Sequence, residues 1–346
     1  MSGIMSIMNN TRCPICLTEV AKENYTETYI SPYNNQEYKR YECPNCDVHW
    51  WEPLKIIPEF YESEVFEAYT AFHEGIGLRL GQNHEAFFEY FPQNIRGRLL
   101  DVGCGNGLFL KHAKQAGFEV WGIDFDRKSV EVARKALNTD TIYAMSLEEF
   151  YEYASKEGFK FDVITFFEVL EHQDKPREFL EMVKGLLKEG GYIAGSVPNR
   201  ERLLAKEADW KYLNGDFPPH HFFRFSQQSL NFLFKLAGFS EIFLYVPDYP
   251  LSLLFPTVWR KIAGNLDKNL KVKIKSWFVG DERLAKGVAV DRLDEIVSAR
   301  EGISKLLLLK VLKYARNLIL LPFVVPYIFS YKQRGPFIYF QANLGG

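Results

Sequence analysis

The run LLDVGCGNG at positions 99–107 constrains this chain more than any other stretch. Leu99, Leu100, Asp101 and Val102 read as a buried strand carrying an acid near its end. Gly103, Cys104, Gly105, Asn106 and Gly107 then turn the chain, and LFLKHA at 108–113 opens a helix. A parallel strand that feeds a helix through so short a turn needs glycine where φ is positive and where a ligand meets bare backbone. The helix N-terminus behind the turn offers free N–H groups to polar ligand atoms. The competing reading is a buried turn that holds nothing, and the flanking sequence decides between the two.

The next apolar run, EVWGID at 119–124, ends in Asp124, seventeen positions past Gly107. An acid there can accept hydrogen bonds from both hydroxyls of a ribose. The glycines read G-x-G-x-G, one residue tighter than the dinucleotide fingerprint, which leaves less room for a pyrophosphate. Asp101 would also repel a pyrophosphate and suits a cation. An adenosine carrying a sulfonium and an amino-acid tail meets these requirements: S-adenosylmethionine (SAM).

Apolar and helical segments alternate after the turn, which predicts a parallel sheet. Strands are expected near 98–102, 119–124, 141–145, 161–167 and 191–197, and helices near 108–116, 127–137, 147–156 and 175–188. Ser146 and Glu149 form a capping-box pattern, and Asp174 with Pro176 marks the next helix start. A sixth strand is expected at 240–246 and a seventh at 336–343. Residues 249–333 then form a helical insertion between them. Within it, 305–316 reads as a basic amphipathic helix, and 317–331 carries no charge but is interrupted by Pro322 and Pro326. A spanning helix needs about twenty apolar residues, so this run is too short to cross. It reads either as a buried pair or homodimer surface, or as a peripheral membrane contact through 305–331.

At the N-terminus, Cys13-Pro14-Ile15-Cys16 and Cys43-Pro44-Asn45-Cys46 stand twenty-six residues apart. Each C-x-x-C turn presents two thiolates to one metal, and two such turns complete a tetrahedral zinc site. Hairpin strands are expected between Tyr25 and Tyr41, around Ser31 to Asn35. A closed site of Cys13, Cys16, Cys43 and Cys46 has no open position, so its expected role is structural. Helical, aromatic-rich sequence follows, with stripes at 59–61 and 83–91.

Residues 97–200 resemble the class I SAM-dependent methyltransferases. LLDVGCGNG and VWGIDFD match the family's first two signatures, FDVITFFEVLEH at 161–172 its fourth-strand signature, and LLKEGGYIAGSVPN the entry to its fifth strand. The resemblance implies a seven-stranded Rossmann-like α/β sheet with an antiparallel last pair, here preceded by the zinc ribbon. The expected division is a ribbon at 1–53, a helical cap at 54–96, the SAM-binding core at 97–248 plus 334–346, and the insertion at 249–333. It also implies that Asp101, Gly103, Cys104, Gly105 and Gly107 line the methionine end of SAM. Asp124 takes the ribose hydroxyls, with Phe125 beside the adenine and Ser146 and Leu147 flanking its edge. Phe167 and Glu168 face the transferring methyl.

Three histidines fall at the mouth of the expected sheet: His172, directly after Glu171, and His220 and His221 in FPPHHFFRFS at 217–226. A histidine can act as a base near neutral pH, so these are the candidate catalytic residues. The alternative is that they only hold the loop. Glu171 is expected to orient or cap, and Arg224 either binds an anionic acceptor or faces solvent.

Net charge is −2, so no general positive field recruits nucleic acid. The Asn/Asp-Pro-Pro-aromatic pattern of base-amino methyltransferases is missing after the fourth strand. Five cysteines, four of them in paired C-x-x-C turns, with no secretory signal pattern, indicate a reducing cytoplasm, with peripheral membrane placement the variant reading. The expected reaction is O-methylation of a small, glycan-linked or lipid-linked acceptor. C- or N-methylation of a sugar, rRNA methylation and a SAM-binding scaffold without turnover stand as alternatives.

Overall fold

The structure is a computed structural model that describes residues 10–57, 80–203, 216–251 and 303–345, with isolated positions between 254 and 277. The aromatic stripe at 59–61 and most of the helical insertion lie outside the described residues.

Four β-α-β steps build the centre. β6 (Gly97–Val102), β7 (Phe118–Asp124), β8 (Ile142–Ala144) and β9 (Phe161–Phe167) are parallel, and β10 (Leu187–Pro198) joins β9 in the same direction. β9 reads FDVITFF and is buried along almost its whole length, as expected of a parallel strand covered on both faces. The helices that cover the sheet are amphipathic. α3 (Arg127–Leu137) buries Val130, Ala133 and Leu137 at helical spacing. α2 (Leu108–Gln115) begins at the glycine turn, and α4 (Leu147–Glu157) carries the expected capping box of Ser146 and Glu149. α5 (Pro176–Leu186) starts with proline in its first turn.

α5 is shorter than the expected 175–188. Leu187 is extended, is buried against the core, and pairs with Phe161 as the first residue of β10. Burial of that side chain in the sheet overrides the helical periodicity.

β12 (Phe239–Tyr245) and β13 (Phe337–Leu344) pair antiparallel, and β13 also runs antiparallel to β10. The sheet order is β12-β13-β10-β9-β6-β7-β8. The order reverses at β6, so the crevice beyond the carboxyl ends of β6, β7 and β9 is where a ligand fits. α1 (Gln82–Tyr90) stacks Phe87 on Phe91 and covers the sheet beside α2. α6 (Gln227–Leu236) precedes β12, and α7 (Ile303–Ile328) precedes β13.

The N-terminal unit has a short pair, β1 (Asn10–Arg12) with β2 (Glu19–Ala21), and the expected hairpin, β3 (Glu27–Ile30) with β4 (Glu37–Glu42). β5 (His49–Glu52) extends it. A fourth strand comes from far along the chain: β11 (Phe223–Arg224) pairs with β5, Phe223 opposite Trp50 and Arg224 opposite His49. The cysteine unit and the large sheet thereby share one apolar core. Asp47, next to Cys46, accepts hydrogen bonds from Arg200 (2.7 Å) and from the Ser226 hydroxyl.

Candidate active site

Gly103 and Cys104 both donate backbone N–H groups to the Ile123 carbonyl, which folds the glycine turn over the end of β7. Gly107 has φ 76°, and a Cβ there would stand 2.9 Å from the Ala133 Cβ of α3. Glycine is needed at that position for backbone conformation and for helix packing alike. A Cβ at Gly105 (φ 52°) would meet nothing within 4 Å, so this side of the turn is open to a ligand.

Asp124 Oδ2 accepts from the Gly105 N–H at 2.9 Å, and its Oδ1 accepts from the Asp126 N–H at 2.9 Å. A carboxylate offers about four acceptor positions, the kind of group that a ribose diol requires. Asp101 lies deeper, with Thr165 Oγ1 donating to its Oδ1 at 2.7 Å. Burial, with the Asp124 charge adding to it, pushes Asp101 up to about 8, against the stabilising Thr165 bond. A buried carboxyl held protonated beside an open turn suits a cationic ligand, which would restore its charge.

Phe125 is half-exposed beyond Asp124, and Leu147 is buried at the start of α4. Two expected contributions differ in detail. The Ser146 hydroxyl accepts from the Glu149 N–H, and the Ser146 N–H donates to the Glu149 carboxylate, so its polar atoms serve the helix cap. The Cys104 side chain is buried against Gly122, behind the turn, and burial pushes its thiol well up. Cys104 can therefore offer a ligand its backbone more readily than its sulfur.

Phe167 packs against Phe109 and His84 at the end of β9. Glu168 follows at φ 55°, a left-handed conformation that side chains other than glycine seldom adopt. That backbone points its carboxyl into a cavity of about 290 Å³, lined also by Asn83, Arg202, Asp216, His221 and Phe337. Asn83 donates to Ser196 Oγ (3.1 Å), and Ser196 donates to Glu168 Oε1 (2.7 Å). Burial raises Glu168 to about 7 despite the Ser196 bond.

His172, His220 and His221 come together. Their ring centroids lie 4.5–4.6 Å apart, and one ligand atom from each fits within 4.8 Å of the others. His172 Nδ1 bonds the His220 carbonyl oxygen at 2.6 Å, and His221 Nδ1 faces Asp216 Oδ1 at 3.2 Å. The carbonyl can only accept, so His172 Nδ1 donates to it, and the same ring makes a second hydrogen bond to the Glu168 backbone. The Nε2 atoms of His172 and His221 face Glu171. Those Nε2 atoms lie 3.8 and 3.9 Å from Glu171 Oε1.

Glu171 is fully buried, and neither carboxylate oxygen meets a hydrogen-bond donor. Burial, reinforced by the Glu168 charge, pushes it well above the usual carboxyl range. Burial also holds His172 down at about 3 and His220 well below the usual imidazole value, with the neighbouring rings adding to the effect. Three histidine rings gathered beside a buried carboxyl are residue types that suit a divalent cation.

Two contributors were not anticipated from sequence, Asp216 and Arg202. Asp216 accepts from Arg202 (2.6 Å) and Arg224 (2.9 Å) and orients His221. Burial alone would raise its carboxyl, but the two guanidiniums and His221 hold it well below the usual range. Arg224 is consequently enclosed and paired, and it does not face solvent. Glu171 stands one 3-10 turn from Glu168, and its place directly before His172 was the available signal.

The four cysteines of the N-terminal unit also converge. Cys13 Sγ is 3.5 Å from Cys46 Sγ, Cys16 Sγ is 3.3 Å from Cys43 Sγ, and all four sulfurs lie within 4.8 Å of one another. A tetrahedral zinc site with Zn–S bonds of about 2.3 Å has sulfurs roughly 3.8 Å apart, so the cluster suits that ion. Hydrogen bonding from Cys46 favours Cys13 as the thiolate.

A family model described as a methyltransferase domain matches residues 72–242. The ubiquinone biosynthesis O-methyltransferase of Bordetella avium (strain 197N) is 31% identical over 155 residues, covering 44% of this chain and 57% of that protein. The mitochondrial protein of the same name from Schizosaccharomyces pombe is 35% identical over 113 residues, covering 32% and 40%. The chain thus spans about half the length of the curated relatives it matches. A solved phosphoethanolamine N-methyltransferase 2 of Haemonchus contortus, in complex with phosphomonomethylethanolamine and S-adenosylhomocysteine, is 14% identical. It superposes with a TM-score of 0.50, over 94% of this chain and 72% of that one. That likeness is one of fold.

Proposed function

Because residues 72–242 belong to the class I SAM-dependent methyltransferase family, we propose that the protein methylates a hydroxyl oxygen of a small, glycan-linked or lipid-linked acceptor, aided by a divalent cation. The observation that supports this reading is Glu171, buried with neither oxygen meeting a hydrogen-bond donor and 3.8 and 3.9 Å from the ring nitrogens of His172 and His221. SAM, when bound, supplies a methyl group on a sulfonium that is already a good leaving group. Asp101 and Asp124 hold its charged and ribose ends, and Gly105 leaves room for it. The residues around the cavity then align acceptor with methyl and exclude water, which is most of what such a displacement requires.

Glu171, His172 and His221, with His220 stacked beside them, are the groups that would hold the cation. A divalent cation at that position would acidify an acceptor hydroxyl. His172 and His220, held down by burial, suit this role better than that of proton acceptor. Glu168 is the better base: it faces the cavity, Ser196 fixes one oxygen, and its value near 7 is matched to proton transfer at neutral pH. The cysteine unit folds the edge that carries the histidine loop and holds zinc as a structural ion.

The test is transfer of labelled methyl from SAM to a panel of phenols, sugars and lipid-linked alcohols, with chelator-treated and Mn²⁺-replenished protein. Labelled ether product that falls on chelation and returns with Mn²⁺ supports the reading. Product confined to nitrogen or carbon, or turnover indifferent to chelation, contradicts it.

A further inference from the structure

We infer that α7 is an in-plane anchor that docks this protein on an anionic bilayer surface. Leu309, Leu320 and Val324 pack inward, the latter two in a small cluster with Leu203, Tyr249 and Leu254. On the opposite side the described apolar side chains are exposed. Leu307, Val311, Tyr314, Leu318 and Val325 recur every three, four or seven residues along it, with Leu318 73% exposed, and Phe329 just beyond the helix is 86% exposed. Leu308, Leu312, Ile319 and Phe323 widen the stripe on one flank, and Ile319 is 70% exposed. Among the described side chains, no charge interrupts this arc. A continuous apolar surface of such length marks a contact with something apolar.

Charge selects the occupant. From residue 302 to the end the sequence has six Lys or Arg and no acid, in a chain whose net charge is −2. Lys310 is exposed at the border of the apolar arc. A second copy of the same helix would set these cations against one another, whereas anionic headgroups complement them. The helical part of the charge-free run 317–331, which ends at Ile328, spans about 18 Å, short of the ~30 Å hydrocarbon core. No helix among the described residues is long and apolar enough to cross a membrane. An orientation along the interface is what remains.

The anchor leads to the cavity. Past α7, the carbonyls of Tyr331, Arg334 and Pro336 accept from the N–H groups of Tyr249, Leu203 and Asn199 (2.8–2.9 Å). Pro336 and Phe337 then line the cavity. Docking would bring the cavity rim near the bilayer, where an acceptor with a lipid tail resides; this last step rests on the acceptor reading above.

The experiment is co-sedimentation of the full chain with phosphatidylcholine vesicles, with and without phosphatidylglycerol. Light scattering gives the molar mass, and titration with S-adenosylhomocysteine checks the fold of each variant independently of turnover. The wild type is expected to sediment with phosphatidylglycerol vesicles. The double variant Leu318→Glu/Ile319→Glu is expected to stay in solution, and Lys310→Glu/Lys313→Glu to bind at least about tenfold more weakly. Wild type left in the supernatant with anionic vesicles overturns the proposal, as does equal binding to both vesicle types. A dimer that Leu318→Glu/Ile319→Glu dissociates, with no vesicle binding, overturns it in favour of a homodimer surface.

Discussion

The carboxylate of Asp124 accepts a hydrogen bond from the backbone N–H of Gly105 at 2.9 Å, nineteen residues back along the chain. The acid placed to receive a ribose therefore also sets the conformation of the turn on which the ligand sits. Its second oxygen caps the following loop through the Asp126 N–H. Loss of this one side chain should remove a ligand contact and loosen the cradle together.

Gly107→Ala should destabilise the fold itself, whatever it does to ligand binding. The residue needs φ 76°, and its new methyl would stand 2.9 Å from the Ala133 Cβ. A loss of about 1–3 kcal/mol is expected, seen as a lower thermal midpoint. Gly105→Ala adds backbone strain but no clash, so it should cost less stability and weaken binding of S-adenosylhomocysteine more. Equal melting of the two variants would show that the contact with α3 is unimportant.

Asp101 makes stability depend on pH. Its folded value is about 8, against an unfolded value near 4. Between those values the folded chain keeps a proton that the unfolded chain has lost. The contribution is thus full below about pH 4 and declines as pH rises toward 8, with a limiting slope of about 1.4 kcal/mol per unit. Denaturant titrations of the apoprotein should lose this slope in Asp101→Asn. SAM, by bringing a positive charge, should release a proton on binding near pH 7, visible as a buffer-dependent heat. A slope unchanged in the variant would refute the assignment.

Glu171→Gln keeps the shape of the side chain but removes its charge. Mn²⁺ binding, followed by electron paramagnetic resonance, should fall at least about tenfold, and His172→Ala should behave alike. Affinity for S-adenosylhomocysteine should stay near the wild-type value, because neither residue touches the glycine turn. Undiminished Mn²⁺ binding in both variants would leave the cluster as a neutral packing feature.

The cysteine unit should control the histidine loop. Trp51 donates its backbone N–H to the Phe222 carbonyl, and Phe223 pairs with Trp50 across β5 and β11. Cys43→Ser, or stripping of the zinc ion, should therefore raise amide hydrogen exchange across 216–226 while leaving β6 and β9 protected. Exchange confined to residues before 53 would show that the two parts fold independently.

Much of the fold was readable because its signals are local. Glycines at required φ values, buried apolar strands and the Ser146–Glu149 cap depend on neighbours in sequence. The end of α5 was not, since Leu187 becomes extended only through pairing with Phe161. The four cysteines and three histidines were identifiable by residue type and spacing. Asp216 and Arg202 were not, because what gives them a place in the site is a contact fourteen residues apart within the histidine loop region. For the same reason the sequence left Arg224 between an anion-binding role and a solvent-facing one, and did not show its pairing with Asp216. The joining of β11 to β5 is a pairing across more than 170 residues, and no periodicity in either two- to four-residue strand announces it.

Calorimetric titration with S-adenosylhomocysteine, on wild type and Asp124→Ala side by side, tests the central claim most directly. The wild type should bind one equivalent, and the variant should bind at least about tenfold more weakly, the loss of a charge-assisted hydrogen bond in a buried site. Absence of heat in the wild type, or equal affinity in both proteins, would contradict a SAM site built on the turn at 103–107.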